Sequence, residues 1–133
     1  MYVEPSAILA IMKEEPEALG LRQRLAASPR KKMVSVVGKV EAAISLGRSL
    51  RDYDLASVLV GEFCEQADID IVPVSPDLFS EVMKAYRRFG KGTGHPAGLN
   101  FGDCFSYGYS KRYRLPLLYK GNDFSMTDVE VAL

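Results

Sequence analysis

Short apolar runs alternate along this chain with stretches where apolar residues recur every three or four positions. The runs are Met1–Val3, Met33–Val37, Ile69–Val74 and Leu115–Tyr119, and each reads as a buried strand. Between them the period is helical. Pro5 breaks the first run and Ser6 opens a short helix with Ala7, Ile8, Ile11 and Met12 on one side. A second helix follows Pro16, with Leu21 and Leu25 inward, Arg22 and Arg24 outward, and Ser28-Pro29 as its stop. Val37, Val40, Ile44 and Gly47 mark the stripe of a third helix. Leu55, Val58, Leu59 and Phe63 mark that of a fourth, over Asp54–Ala67. Leu78–Phe89 is a helix with a basic end. The segment Gly90–Gly98, with four glycines, Pro96 and the only histidine, His95, reads as a mobile loop. The next helix starts at Asn100, a good N-cap, and places Phe101, Cys104, Phe105 and Gly108 on one face. Gly102 removes side-chain bulk from its first turn. A short apolar tail, Val129–Leu133, ends the chain. Strands separated by helices predict an α/β fold: a three-layer α/β/α sandwich around a mostly parallel sheet of four to five strands.

Composition narrows the classes. A chain of 133 residues is expected to form one domain over 1–133, large enough to bury a core without disulfide or structural metal. Lys plus Arg and Asp plus Glu both number 17. A protein with zero net charge is no bulk-basic nucleic-acid binder, so any phosphate contact must come from a local patch. Arg87, Arg88, Lys91, Lys111, Arg112 and Lys120 are the candidates. Cys64 and Cys104 lie in helical patterns with no C-x-x-C partner and read as reduced core residues, which points to the cytoplasm. No signal-type start and no run of about 18 apolar residues is present, so no membrane span is expected.

The chemistry lies in acids that sit where acids are costly. Glu41 falls on the apolar stripe of the third helix, where a charge must be compensated. Asp103 stands in the first turn of a half-buried helix. Glu4 ends the first strand, and Asn122-Asp123 follows the last. In an open parallel sheet, ligands bind at the carboxyl ends of the strands, where the strand order reverses. All four acids can reach that edge. Facing carboxylates repel and favour their neutral forms unless cations intervene. Hard divalent ions, Mg²⁺ or Mn²⁺, are the natural compensation, and they support hydrolysis at a phosphate. Simpler roles stand beside this one: capping for Asp103, a buried ion pair for Glu41, a turn for Asp123. No Ser-His-Asp or Cys-His set competes, and G-T-G-H-P-A-G at 92–98 lacks the helix start of a phosphate-binding loop. A receiver-like phosphoacceptor domain, with Lys120 as its late lysine, is a further option.

V-E-P-S-A at 3–7, Glu41, L-N-F-G-D-C-F-S-Y at 99–107 and L-P-L-L-Y-K-G-N-D-F-S-M-T-D at 115–128 together resemble a PIN domain. More narrowly, they resemble the VapC-type ribonuclease toxins of toxin–antitoxin operons. The resemblance implies a Mg²⁺- or Mn²⁺-dependent endoribonuclease that hydrolyses RNA (tRNA, rRNA or mRNA). It also implies a homodimer neutralised by a VapB-type antitoxin. Carried over position by position, Glu4, Glu41 and Asp103 match the first three acids of the site. Asp123 is the fourth in the K-G-x-D-F branch, with Asp128 an outside candidate. Ser6 and Asn100 stand in support, Ser6 either orienting water or capping its helix. The family's first acid is nearly always Asp, whereas here it is Glu4 followed by Pro5. The alternative is therefore a catalytically weakened PIN domain that acts mainly as an antitoxin-binding module.

Overall fold

The computed structural model describes residues 1–132, so of the apolar tail only Leu133 lies outside the described residues. Four strands, β1 (Tyr2–Val3), β2 (Lys32–Ser35), β3 (Ile69–Val72) and β4 (Leu117–Leu118), form one sheet in the order β3-β2-β1-β4. Every pairing is parallel, with Tyr2 opposite Met33 on one side and Leu117 on the other. Val131 adds a single parallel bridge to Leu117. The connections are α1 (Pro5–Met12) with α2 (Ala18–Ala27), α3 (Val36–Leu50) with α4 (Tyr53–Gln66), and α5 (Phe79–Phe89) with α6 (Phe101–Tyr113). The chain steps β1 to β2 to β3 in one direction and then returns to lay β4 beside β1. Right-handed crossovers put the helices of the outward steps on one face and those of the return on the other. The strand order reverses between β1 and β4.

Local chemistry sets the boundaries. Glu4 caps α1 and Pro5 fills its first position, where a missing N–H costs nothing. The Ser35 hydroxyl accepts from the Gly38 N–H at 3.1 Å, so α3 begins at Val36 and β2 ends before the Val37 that the apolar run included. The α3 C-terminus closes through Arg51 in the left-handed region, and the adjacent Asp52 caps α4. Ser6 is accordingly the second residue of α1, not its cap. β3 stops at Val72, before Pro73, which has no N–H to donate.

The core holds Tyr2, Val3, Ile8, Ile11, Val34, Leu117 and Leu118 around the sheet, with Leu21 and Leu25 of α2 inward as expected. Two stripes turn out differently. In α3 the buried residues are Gly38, Ala42, Leu46 and Gly47, while Val40 and Ile44 face outward. In α4 they are Ala56, Val60 and Cys64, while Leu55 and Val58 are exposed. Close packing accounts for the first. A Cβ on Gly38 would stand 2.8 Å from Val34 Cγ2, and one on Gly47 would stand 2.4 Å from the Tyr53 ring. Gly38 and Gly47 must therefore stay small, and Val40 and Ile44 take the outer side of α3, while Leu46 in α3 and Val60 in α4 are the large residues that are buried. Phe101 likewise is 75% exposed rather than buried, although Cys104 and Gly108 of the same stripe are inside.

The 90–98 segment is pinned by its own bonds. The Leu99 N–H donates to the Phe89 carbonyl at 2.8 Å and the Lys91 N–H to the Leu99 carbonyl at 2.8 Å, closing the loop at its base. Thr93 Oγ1 donates to the Gly90 carbonyl, and His95 packs edge-on against Phe89 while its Nδ1 accepts from the Ala97 N–H. The expected mobile loop is thus a bonded turn.

The reassigned α4 face can be tested by chemical denaturation. Val60 is 0% and Val58 57% exposed. Val60→Ala should cost about 1.5–3 kcal/mol through lost burial and a cavity, and Val58→Ala should stay within about 0.5 kcal/mol of the parent. Equal losses would contradict the packing.

Candidate active site

Four acids from four separate parts of the chain line one cavity of about 200 Å³: Glu4, Glu41, Asp103 and Asp123. Pro5, Ser6, Leu9, Ser45, Asn100, Lys120 and Phe124 complete its wall. The position follows from the topology. Glu4 leaves β1 and Lys120 lies just beyond β4, so the cavity opens where the strand order reverses.

Glu4 is 2% exposed. Its Oε2 accepts from the Ser6 N–H at 2.7 Å and from the Ser6 hydroxyl. That hydroxyl in turn accepts from the Lys120 N–H at 3.0 Å, tying the start of α1 to the end of β4. Asp103 is 6% exposed and stands in a capping box. Its Oδ2 accepts from the Asn100 N–H at 2.9 Å, and Asn100 Oδ1 accepts from the Asp103 N–H at 2.8 Å. Each carboxylate is therefore fixed through one oxygen at a helix N-terminus, where the peptide dipoles favour negative charge. Glu41 is half-buried in α3, against the first turn of α6. Among the described residues it forms no ion pair. Asp123 is exposed at the rim, before the turn Phe124–Met126.

Burial and mutual repulsion push these groups toward their neutral forms. Burial raises Glu4 to about 8 against an ordinary 4.5; Ser6 opposes the rise, and the charges of Asp103 and Glu41 add to it. Burial also raises Glu41, and Asp103 adds to it. Asp103 rises for the same first reason, with the Asn100 N–H opposing and Asp123 adding. The one lysine on the wall does not neutralise them, because the Lys120 ammonium is held by Glu15 and lies 3.7 Å from Glu17. That diversion also removes the geometry a receiver-like phosphoacceptor would need.

The donor set is all oxygen and net negative, which suits a hard divalent cation. Among the described residues, no three His, Cys, Asp or Glu side chains are gathered tightly enough to hold a metal ion by themselves. A cation here would therefore keep part of its water shell, as Mg²⁺ readily does. Glu4, Glu41, Asp103 and Asp123 are the residues that would hold it.

Other candidates fall elsewhere. Asp128 accepts from the Tyr107 hydroxyl at 2.7 Å and pairs with Arg88 and Lys111, each at 3.3 Å, away from the acidic cavity. Arg112 pairs with Asp77 at 3.1 Å. Four of the six basic residues read as phosphate contacts, Arg88, Lys111, Arg112 and Lys120, are thus engaged in internal ion pairs. Ser6 bridges Glu4 and β4 rather than capping α1. Ser45 went unnoticed in the sequence, where its only signal is its place one helical turn after Glu41.

Among the described residues no helix is long and apolar enough to cross a membrane. The PIN domain family model matches residues 1–130. The chain is 41% identical over 133 residues to Ribonuclease VapC28 of Mycobacterium tuberculosis, covering 100% of this chain and 98% of that one. It is 38% identical over 139 residues to VapC ribonuclease R02377 of Rhizobium meliloti, covering 96% and 98%. Its fold is similar to that of Mycobacterium tuberculosis VapC20, a sarcin-ricin loop cleaving toxin, with a TM-score of 0.76. There the identity is 18%, over 99% of this chain and 98% of that one.

The buried Glu4 charge has a measurable consequence. The folded carboxyl ionises near pH 8 and the unfolded one near 4.5. Between these values the folded chain keeps a proton that the unfolded chain has lost, so stability falls as pH rises through that window. In EDTA, the thermal midpoint should drop from about pH 5 to about pH 8 and level off above, and Glu4→Gln should flatten the slope. An identical slope in the parent and the variant would contradict a buried, ionisable Glu4.

Proposed function

The chain belongs to the PIN-domain family and is a VapC-type ribonuclease toxin, and from that premise we propose that it cuts RNA at the acidic cavity with a divalent cation. One observation carries this reading: acids at residues 4, 41, 103 and 123 line a single cavity at the switch point of the sheet. Mg²⁺ or Mn²⁺, when bound, would acidify a coordinated water and offset charge on the scissile phosphate.

The chain's own groups do the rest. Asp103 and Glu4 offer carboxylates whose orientation is set by backbone N–H bonds, so little reorganisation is needed when a cation and phosphate arrive. Glu41 faces the same space from α3, and Asp123 closes the rim. Water then attacks the phosphodiester in line, leaving 5′-phosphate and 3′-hydroxyl ends. A cavity of about 200 Å³ admits a phosphate and its ribose more readily than a duplex, which favours single-stranded or looped RNA. A VapB-type antitoxin is the inhibitory partner this reading supplies, and a homodimer its working form.

The rival reading, a weakened nuclease that serves as a binding module, draws on Glu4. Its Oε2 already takes two bonds from Ser6, which leaves fewer lone pairs for a cation than an unencumbered carboxylate has. Cleavage of a structured RNA with Mn²⁺ separates the two. The parent chain should cut, and Asp103→Asn and Asp123→Asn should each lose activity on the order of a hundredfold. Asp128→Asn, outside the cavity, should cut at nearly the parental rate. Equal activity in the parent and Asp103→Asn would refute the site. Activity that emerges only in Glu4→Asp would favour the binding module.

A further inference from the structure

Gly102 is the second residue of α6, in ordinary helical backbone, where glycine costs stability relative to alanine. No positive φ requires it there. The structure shows what does. A Cβ at this position would stand 2.1 Å from Glu41 Oε2, 2.9 Å from Glu41 Cδ and 3.2 Å from Glu41 Oε1. The three nearest atoms in its way all belong to one carboxylate.

We infer that Gly102 is a positioning residue: its missing side chain is the space in which the Glu41 carboxylate lies, beside Asp103 in the acidic cavity. The inference rests on the reading of that cavity as the RNA-cleaving site. Asp103 is the next residue along the chain, so Gly102 sets the separation between an acid on α3 and an acid on α6. A Cβ would force the Glu41 carboxylate to move by an ångström or more. Glu41 ends in a flexible side chain, so it can swing aside without disturbing the backbone of either helix. The fold then tolerates alanine while the site does not.

That difference is the test. Gly102→Ala should keep or raise the thermal midpoint, since alanine is the better helix former. In Mn²⁺-dependent RNA cleavage it should lower kcat by at least about tenfold, with KM changed far less, because a misplaced carboxylate harms chemistry more than docking. In a Glu41→Asp background, where the acid is one methylene shorter and withdraws from residue 102, the same change should cost no more than about twofold. A purely structural role would instead lower the midpoint and act equally in both backgrounds, and either result overturns the inference. Glu41→Ala in the same assay keeps the two levels apart. Full activity there refutes the site and this inference with it. A crippled Glu41→Ala beside a fully active Gly102→Ala refutes the inference alone.

Discussion

Like charges confined to one small space are the constraint on which the rest of this molecule depends. At an effective dielectric near 20, two unit charges about 4 Å apart interact by about 4 kcal/mol. A domain of this kind has only about 5–15 kcal/mol of net stability. The fold softens the repulsion by bringing the N-termini of α1 and α6 to the cavity, each binding one carboxylate oxygen through backbone N–H groups. Such termini offset about 0.3–2 kcal/mol each. That is too little to neutralise four acids. Either protons or a cation must supply the remainder, and burial, which raises the pKa of Glu4, favours a proton there where no cation is bound.

The architecture is built to hold this arrangement still. β1 contributes only two residues, yet it is the central partner of both β2 and β4. The Tyr2 hydroxyl donates to Ser35 Oγ at 2.9 Å and accepts from the Ser35 N–H at 3.2 Å. Ser35 caps α3, so the strand that ends in Glu4 also fixes the start of the helix that carries Glu41. On the other side, the Ser6 hydroxyl joins Glu4 to the backbone after β4. Asp128, with Tyr107, Arg88 and Lys111, clamps the segment that follows Asp123. The ion pairs of that clamp are exposed and contribute little individually; the buried tyrosine bond gives it direction.

The site was more legible in the sequence than the packing. Asp103 stood out as a carboxylate opening a half-buried helix, whereas Glu41 stood out on a stripe whose Val40 and Ile44 face outward, and it owes its shelter to α6, against Gly102. Helix faces were less legible. Val40 and Ile44 in α3, and Leu55 and Val58 in α4, are strongly hydrophobic and still face outward. On the buried side of α3, Gly38 and Gly47 face side chains too close for even a Cβ. Hydropathy measures the wish to leave water, whereas inter-element distance decides who can. That distance is a tertiary quantity, absent from a pattern read along one helix. The fates of the basic residues were hidden for the same reason: Lys120 meets Glu15, and Arg112 meets Asp77, across separations no local window spans.

Glu4 shows how the longer of the two acidic side chains is accommodated at the end of β1. An extra methylene would ordinarily carry the carboxylate about 1.5 Å further into the cavity. Here the side chain turns back on its own helix and places Oε2 on Ser6, as a cap. The added length is spent in the turn, so the carboxylate remains at the wall between β1 and β4. Pro5 makes this arrangement easier, because the first helical position then has no N–H competing for the same oxygen. Glu4 and Pro5 are therefore best understood together. Glutamate without the proline would face a second donor at the same oxygen. Together they hold the Glu4 carboxylate at the start of α1, on the wall of the acidic cavity.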